Sequence, residues 1–327
     1  MMSDPTPERP LVTFALFAYN QEQYIREAVE GAFAQTYEPL EIILSDDCSK
    51  DRTFEIMQEM AAEYKGPHRV VVRQSVVNAG LLNHVLLVSR ISTGEIIVVA
   101  AGDDIALPKR IEISCHAFSD PDVYAMSGDD IIIDQNGKET DWDDSRIDRR
   151  NAWHARSQTW IHGATAAYRA KFLNRLPLAM HPVFYEDMTF SDLLIATQKK
   201  SVRLAEPLIQ YRYHSDNLSD RLVNDVARLR TDVKTTERWK RVNQSKKYCL
   251  DALYFLSESG ETVSTEELKR LNREERYFFF AANWMSNSFI EKFEYLYYAW
   301  RHGSIKSAIV RVFGSQTFHV LKNVEWR

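Results

Sequence analysis

At 327 residues, with 45% hydrophobic and 27% charged residues, the chain has the balance of a soluble globular protein, and no apolar run approaches the roughly 20 residues of a membrane span. Three widely spaced cysteines, Cys48, Cys115 and Cys249, fit neither a disulfide framework nor a zinc site and point to a reducing, cytoplasmic setting. Net charge is −5, divided as −11 over residues 1–220 and +6 over residues 221–327, and the acidic first part excludes nucleic acid as its partner.

The polar N-terminus MMSDPTPERP lacks the apolar core of a signal peptide. Leu11–Ala18 (LVTFALFA) is an uninterrupted apolar run, the pattern of a strand covered on both faces. Residues 22–35 then space Tyr24, Ile25, Ala28, Val29, Ala32 and Phe33 as a helix. The alternation continues with strand 41–45, helix 53–64, strand 69–73, helix 84–92 and strand 95–100. It predicts an α/β fold with a parallel, doubly wound sheet, whose ligands collect where the strands end. Three loops reach that edge: AYNQE (18–22), SDDCSKD (45–51) and AGDDIALP (101–108). From residue 120 the pattern loosens. YAMSGDDIIIDQNGKE reads as a hairpin turning at Asn136–Gly137, and DWDDSRIDRR (141–150) as a polar loop of lid length. A further strand is expected over 208–213, and beyond 220 the chain turns helical and aromatic.

Asp103 and Asp104 stand side by side after an apolar strand. A divalent cation carrying phosphate oxygens relieves their repulsion, since Mg2+ and Mn2+ take few carboxylates plus phosphate. The bland alternative is a solvated turn beside Gly102. A second acidic pair, Asp46–Asp47, on the same expected rim favours the metal–phosphate reading. Glu186 and Asp187 follow Phe184 and Tyr185, and apolar neighbours raise a carboxylate's pKa and strengthen it as a base. The same pair also suits a helix N-terminus. No G-x-G-x-x-G follows the first strand, where AYNQE stands instead, which argues against a nicotinamide-dependent dehydrogenase.

Five segments occur in series: VTFALFAYNQEQYIREAVEGAFAQTYEPLEIILSDDCSKDRT, VVNAGLLNHVLLVSRISTGEIIVVAAGDD, IHGATAAYR, YEDMTFSDLLI and YRYHSDNLS. In this order they resemble the family 2 glycosyltransferases with the GT-A fold, over about residues 11–220. The resemblance implies an inverting enzyme that moves a sugar from a nucleoside-diphosphate donor, of UDP or dTDP type, to an acceptor hydroxyl. It implies that Tyr19, beside Asn20, stacks on the nucleobase, although Tyr19 could equally be a packed rim residue. Asp47 resembles the family's base-reading aspartate, while Asp46 either assists, braces the loop or caps the helix near Thr53. Asn78 and Gly80 match the segment lining the donor pocket; Asn83 suits either a helix cap or a ligand contact. The family shows D-x-D or x-D-D where this chain has Ala101-Gly102-Asp103-Asp104. Asp104 is therefore expected on Mn2+ or Mg2+, and Asp103 near the ribose.

By the same resemblance Asp187 is the general base, Glu186 orients a sugar, and His214, with Arg212, faces the diphosphate or metal. His162 is either a ligand contact or packed. The implied layout is a GT-A catalytic domain over 1–220, with a nucleotide-sugar half (about 11–120) and an acceptor half (121–220). A helical, basic and aromatic extension covers 221–327. Its last stretch places Ile305, Ala308, Ile309, Val312, Phe313, Val320, Leu321 and Val324 on one helical face. Such a stripe packs against the protein itself or a second copy, or lies on an anionic membrane that presents a lipid-linked glycan acceptor. A surface polysaccharide such as lipopolysaccharide is the expected product by family analogy. The alternative of an inactive carbohydrate-binding relative leaves the coexistence of Asp104 and Asp187 without a purpose.

Overall fold

The computed structural model describes residues 9–140, 161–214, 232–283 and 287–301. The chain falls into two compact units: Met1–Pro182 with Glu186–Ser215, and Val183–Tyr185 with Asp216–Arg327.

The first unit is an α/β structure. Strand β1 (Val12–Ala18) is buried at every position, as its unbroken apolar run requires, and so is β2 (Leu40–Asp46). Between them runs α1 (Ile25–Phe33), which buries Ile25, Ala28, Val29 and Ala32. Helix α2 (Thr53–Glu63), strand β3 (Arg69–Gln74), helix α3 (Leu81–Ile91) and strand β4 (Ile96–Ala101) follow. A two-residue strand, β5 (Ile105–Ala106), leads into α4 (Arg110–Ala117) and the long β6 (Val123–Ile133). Then come β7 (Ala167–Arg169), a short α5 (Ala170–Leu173), α6 (Glu186–Ala196) and β8 (Lys200–Arg212). The eight-stranded sheet has the order β3-β2-β1-β4-β7-β6-β8-β5.

The expected parallel sheet is present in β1–β4, whose neighbours all pair in parallel. The sheet as a whole is mixed, because β7 runs antiparallel to β4 and β6, and β5 antiparallel to β8. The hairpin at Asn136–Gly137 is a correction of scale. The turn forms, with Gly137 N–H donating to the Asp134 carbonyl (3.0 Å), but the return arm makes a single bridge, Ile133 to Glu139. β6 spends its length on β8 instead, pairing in parallel from Val123–Lys200 to Ile133–Arg212.

One core joins Phe14, Leu16, Ile42, Leu44 and Val98 of the sheet to Ile25, Val29, Ile56 and Met57 of α1 and α2. Each such side chain contributes about 1.5–3 kcal/mol by leaving water. Glu41, buried in β2, is held by Thr13, Thr93 and Arg69, so even this charge serves the sheet edge.

The second unit contains α7 (Asp232–Glu258), α8 (Thr265–Ala282) and α9 (Phe289–Arg301). Ser264 caps α8, its Oγ accepting from Glu267 N–H. Tyr277, Phe280 and Ala281 of α8 pack with Tyr295 and Ala299 of α9, while Lys246 and Glu274 form a buried ion pair at 2.7 Å. The expected lid at 141–150 and the apolar stripe over 305–326 lie outside the described residues. Among the described residues, no helix is long and apolar enough to cross a membrane.

Candidate active site

Because β1, β2 and β4 are parallel and in register, they end together: Ala18 pairs with Asp46, and Phe17 with Ala101. The three loops expected at the sheet edge therefore meet. Asn20, in the left-handed region at φ 53°, locks two of them together. Its N–H donates to Ser49 Oγ and its Oδ1 accepts from Lys50 N–H, both at 2.8 Å. Asn20 is thus a brace of the rim. Tyr19 beside it keeps 45% of its surface exposed, leaving its ring available for stacking.

The acidic pair after β2 divides its work. Asp46 is fully buried and accepts from Ser49 N–H (2.9 Å), Ser49 Oγ and Gln74 Nε2 (2.9 Å). It braces the loop, one of the alternatives its sequence allowed, and does not cap α2. The N-cap position is Arg52, without a side-chain cap bond, and Asp51 just before it accepts from Thr53 N–H at 3.0 Å. Asp47 turns to the next loop, where its two oxygens accept from Ala79 N–H (2.9 Å) and Gly80 N–H (3.0 Å). Gly80, at φ 75°, adopts a backbone that favours glycine, and Asn78 Oδ1 accepts from the same Gly80 N–H. Asn83 is not the cap of α3, whose N-cap is Gly80. Its side chain clamps Ala179, accepting from the N–H at 2.8 Å and donating to the carbonyl at 3.1 Å. Asn83→Ala should therefore lower stability by about 1–3 kcal/mol, two hydrogen bonds' worth, in urea unfolding; an unchanged midpoint would contradict the clamp.

Beneath Asp47 lies a polar cluster that the sequence did not reveal. Arg73 donates to Ser45 Oγ at 2.6 Å, and Ser45 Oγ lies 2.6 Å from His84 Nε2. Burial lowers the His84 pKa to about 4, so the ring is neutral.

At the β4 edge, Asp104 is buried and its Oδ1 accepts from Arg212 N–H at 2.9 Å. Loss of water, then the neighbouring Asp103 charge, pushes its pKa well up. His214 Nε2 sits 3.1 Å from Asp103 Oδ2, with its ring against Tyr24. The imidazole expected to share a metal with Asp104 is thus joined directly to Asp103. Arg212 requires a correction. Its buried guanidinium donates to the backbone carbonyls of Asp103 (3.0 Å) and Gln135 (3.2 Å) and to Glu27 Oε2 (2.8 Å). These bonds make it a staple holding α1, the 103–104 turn and the end of β6 together. Carboxylate and imidazole are ligand types that a hard or borderline divalent cation accepts. Among the described residues no group of three or more His, Cys, Asp or Glu side chains could hold a metal alone, so phosphate oxygens would have to complete the shell.

Glu186 and Asp187 open α6. Burial first, and Asp187 second, raise Glu186 to about 8, and burial raises Asp187 as well. The turn Gly163–Thr165 lies against them. A Cβ on Gly163 would stand 2.7 Å from Glu186 Oε1 and 3.2 Å from Asp187 Cβ, so only glycine fits unchanged. His162, just before it, reaches Asp130 Oδ2 at 3.8 Å, and Asp130 in turn contributes to the field at Asp104. The acidic rim and the carboxylate pair are thereby linked through Asp130, His162 and Gly163. Asp130 looked like part of a hairpin arm, and only its pairing with Ile209 of β8 reveals it.

The Glu186 shift has a consequence for stability. The folded state holds this proton more tightly than the unfolded chain. Its contribution is therefore complete below about pH 4.5 and is lost as pH rises through about 8. Melting temperature should decline across that window in the wild type and decline less in Glu186→Gln; equal slopes would refute the assignment.

The fold and the rim together define a GT-A glycosyltransferase architecture. The family model for glycosyl transferase family 2 matches residues 13–176, half of the chain, and the chain belongs to that family. An uncharacterized glycosyltransferase of Methanocaldococcus jannaschii is 25% identical over 255 residues, 76% of this chain and 84% of that one. Matches to the first curated relatives, 42% identical over 88 residues, span only 25% of those relatives' length. Among solved structures, a mannosyltransferase from Pyrobaculum calidifontis in complex with GDP-Man and Mn2+ shares the fold. Its TM-score is 0.58 at 18% identity, over 95% of this chain and 81% of that one. S. aureus TarS 1–349 in complex with UDP-GlcNAc gives 0.54 at 13%, over 95% and 83%.

Proposed function

We propose that the protein is an inverting, metal-dependent glycosyltransferase that moves a hexosyl or N-acetylhexosaminyl group from a UDP- or dTDP-sugar to an acceptor hydroxyl. The observation that carries this reading is the link between the two halves of the site. An aspartate–histidine corner suited to a metal diphosphate is joined by Asp130, His162 and Gly163 to a carboxylate pair held above its ordinary pKa. In this reading Tyr19 stacks on the base and Asp47 reads it. Asp104 and His214 would hold Mn2+ or Mg2+, whose charge would offset that of the departing diphosphate, and Asp103 would meet the ribose. Asp187 takes the proton of the acceptor hydroxyl on the opposite face of the sugar, and Glu186 orients it. Fold neighbours whose structures contain GDP-Man with Mn2+, or UDP-GlcNAc, support the donor class. The acceptor is a glycan or lipid-linked glycan of surface polysaccharide synthesis, made by a catalytic domain over residues 1–220.

A thermal-shift panel of nucleotide sugars with and without Mn2+ tests the proposal. A cognate donor at 100 times its Kd should stabilise the fold by about 2.7 kcal/mol. A shift with purine nucleotide sugars alone would overturn the base assignment, and no shift with any would overturn the donor class.

A further inference from the structure

Arg110, the first residue of α4, is 1% exposed, a rare fate for a charged side chain at a helix start. Its sequence, LPKRIEIS, offers no reason for burial. In the structure its NH2 group donates to two backbone carbonyls, Val99 of β4 at 2.5 Å and Ala164 at 3.1 Å. Its cation also lies 5.7 Å from the Phe14 ring centre. Val99 N–H donates to the Ala166 carbonyl at 3.0 Å, so the guanidinium sits where the metal-side strand meets the Gly163–Thr165 turn. On one side Arg110 shares an electrostatic field with Asp104; on the other, the turn that it grips abuts Asp187 through Gly163.

We propose that Arg110 is a positioning residue that fixes the Gly163–Thr165 turn, against which Asp187 of α6 rests, to the strand that leads into Asp104, and so sets Asp187 relative to the sugar's reacting carbon. The proposal rests on the glycosyl-transfer reading above and adds a residue that touches neither substrate nor metal. A guanidinium suits the task because one planar NH2 group, carried at the end of a long rigid head, directs its two hydrogens at the two carbonyls, whereas a lysine ammonium would keep the charge on a shorter side chain with no fixed plane.

The test is kinetic. Arg110→Lys should reduce kcat for transfer about 10- to 100-fold, the scale of a misplaced catalytic group. The donor KM and the Mn2+ affinity, read from the EPR signal of free Mn2+ with UDP present, should stay at wild-type values. In an Asp187→Asn background the same substitution should cost nothing further, because a group that acts only through Asp187 has nothing left to position. If the two losses multiply instead, or if Arg110→Lys lowers the melting temperature with kcat unchanged, Arg110 is merely structural. Should Arg110→Lys fail to fold, Arg110→Gln, which keeps a donor for one carbonyl, takes its place with the same outcomes. A wild-type protein that binds donor and Mn2+ but transfers no sugar would overturn the function itself, a result distinct from either.

Discussion

Asp187→Asn is expected to lower kcat for sugar transfer by about 10²–10⁴-fold, the range for losing a general base, while donor affinity stays at its wild-type value. The amide is isosteric and still accepts the Met188 N–H that the carboxylate holds at 2.6 Å, so the start of α6 should survive. What disappears is the ability to take a proton. Burial lifts the Asp187 pKa, so the acid limb of kcat/KM should lie above the ordinary aspartate value of 3.8. Glu186→Gln should retain that limb and lose the titration near 8. Transfer by Asp187→Asn at the wild-type rate would end its candidacy as base.

The second large effect is at the metal corner. Asp104→Asn should abolish the Mn2+-dependent part of UDP stabilisation and reduce kcat/KM by about 10²–10³-fold, the scale of losing one preorganised contact to developing charge. Its side-chain carbonyl can still accept Arg212 N–H, so the strand end should persist. Asp103→Asn provides the contrast. If the ion sits on Asp104 and Asp103 serves the ribose, Asp103→Asn weakens nucleotide binding with and without metal alike. Because His214 lies against Asp103, the reverse pattern is physically reasonable, and observing it would exchange the two roles.

The nucleotide-binding side was legible because its signals are local. The apolar run at 11–18 became β1 at Val12–Ala18, and EIILS became the middle of Leu40–Asp46. Once strands are placed, the loops after them must share an edge, and the family resemblance then singled out Tyr19, Asp47 and Asp103 within those loops. The residues that were misread act across long separations. Asp46 suited a brace or a helix cap, and the approach of Gln74, 28 positions later, shows the brace. Arg212 reads as a phosphate ligand until Glu27, 185 positions earlier, is found to take its charge. Asp130 and Arg110 gave no signal, because polar side chains buried for positioning resemble surface residues in a single sequence.

The bond between Arg212 and Asp104 joins residues 108 positions apart. The rim where β1, β2 and β4 end, by contrast, is assembled from the first hundred residues by neighbouring parallel strands. Closing a longer loop costs more chain entropy, so the Asp104–Arg212 contact is expected to form after that rim. On the proposed function, a donor's diphosphate would meet its corner only once β8 has docked, whereas the rim at Tyr19 and Asp47 would stand without it.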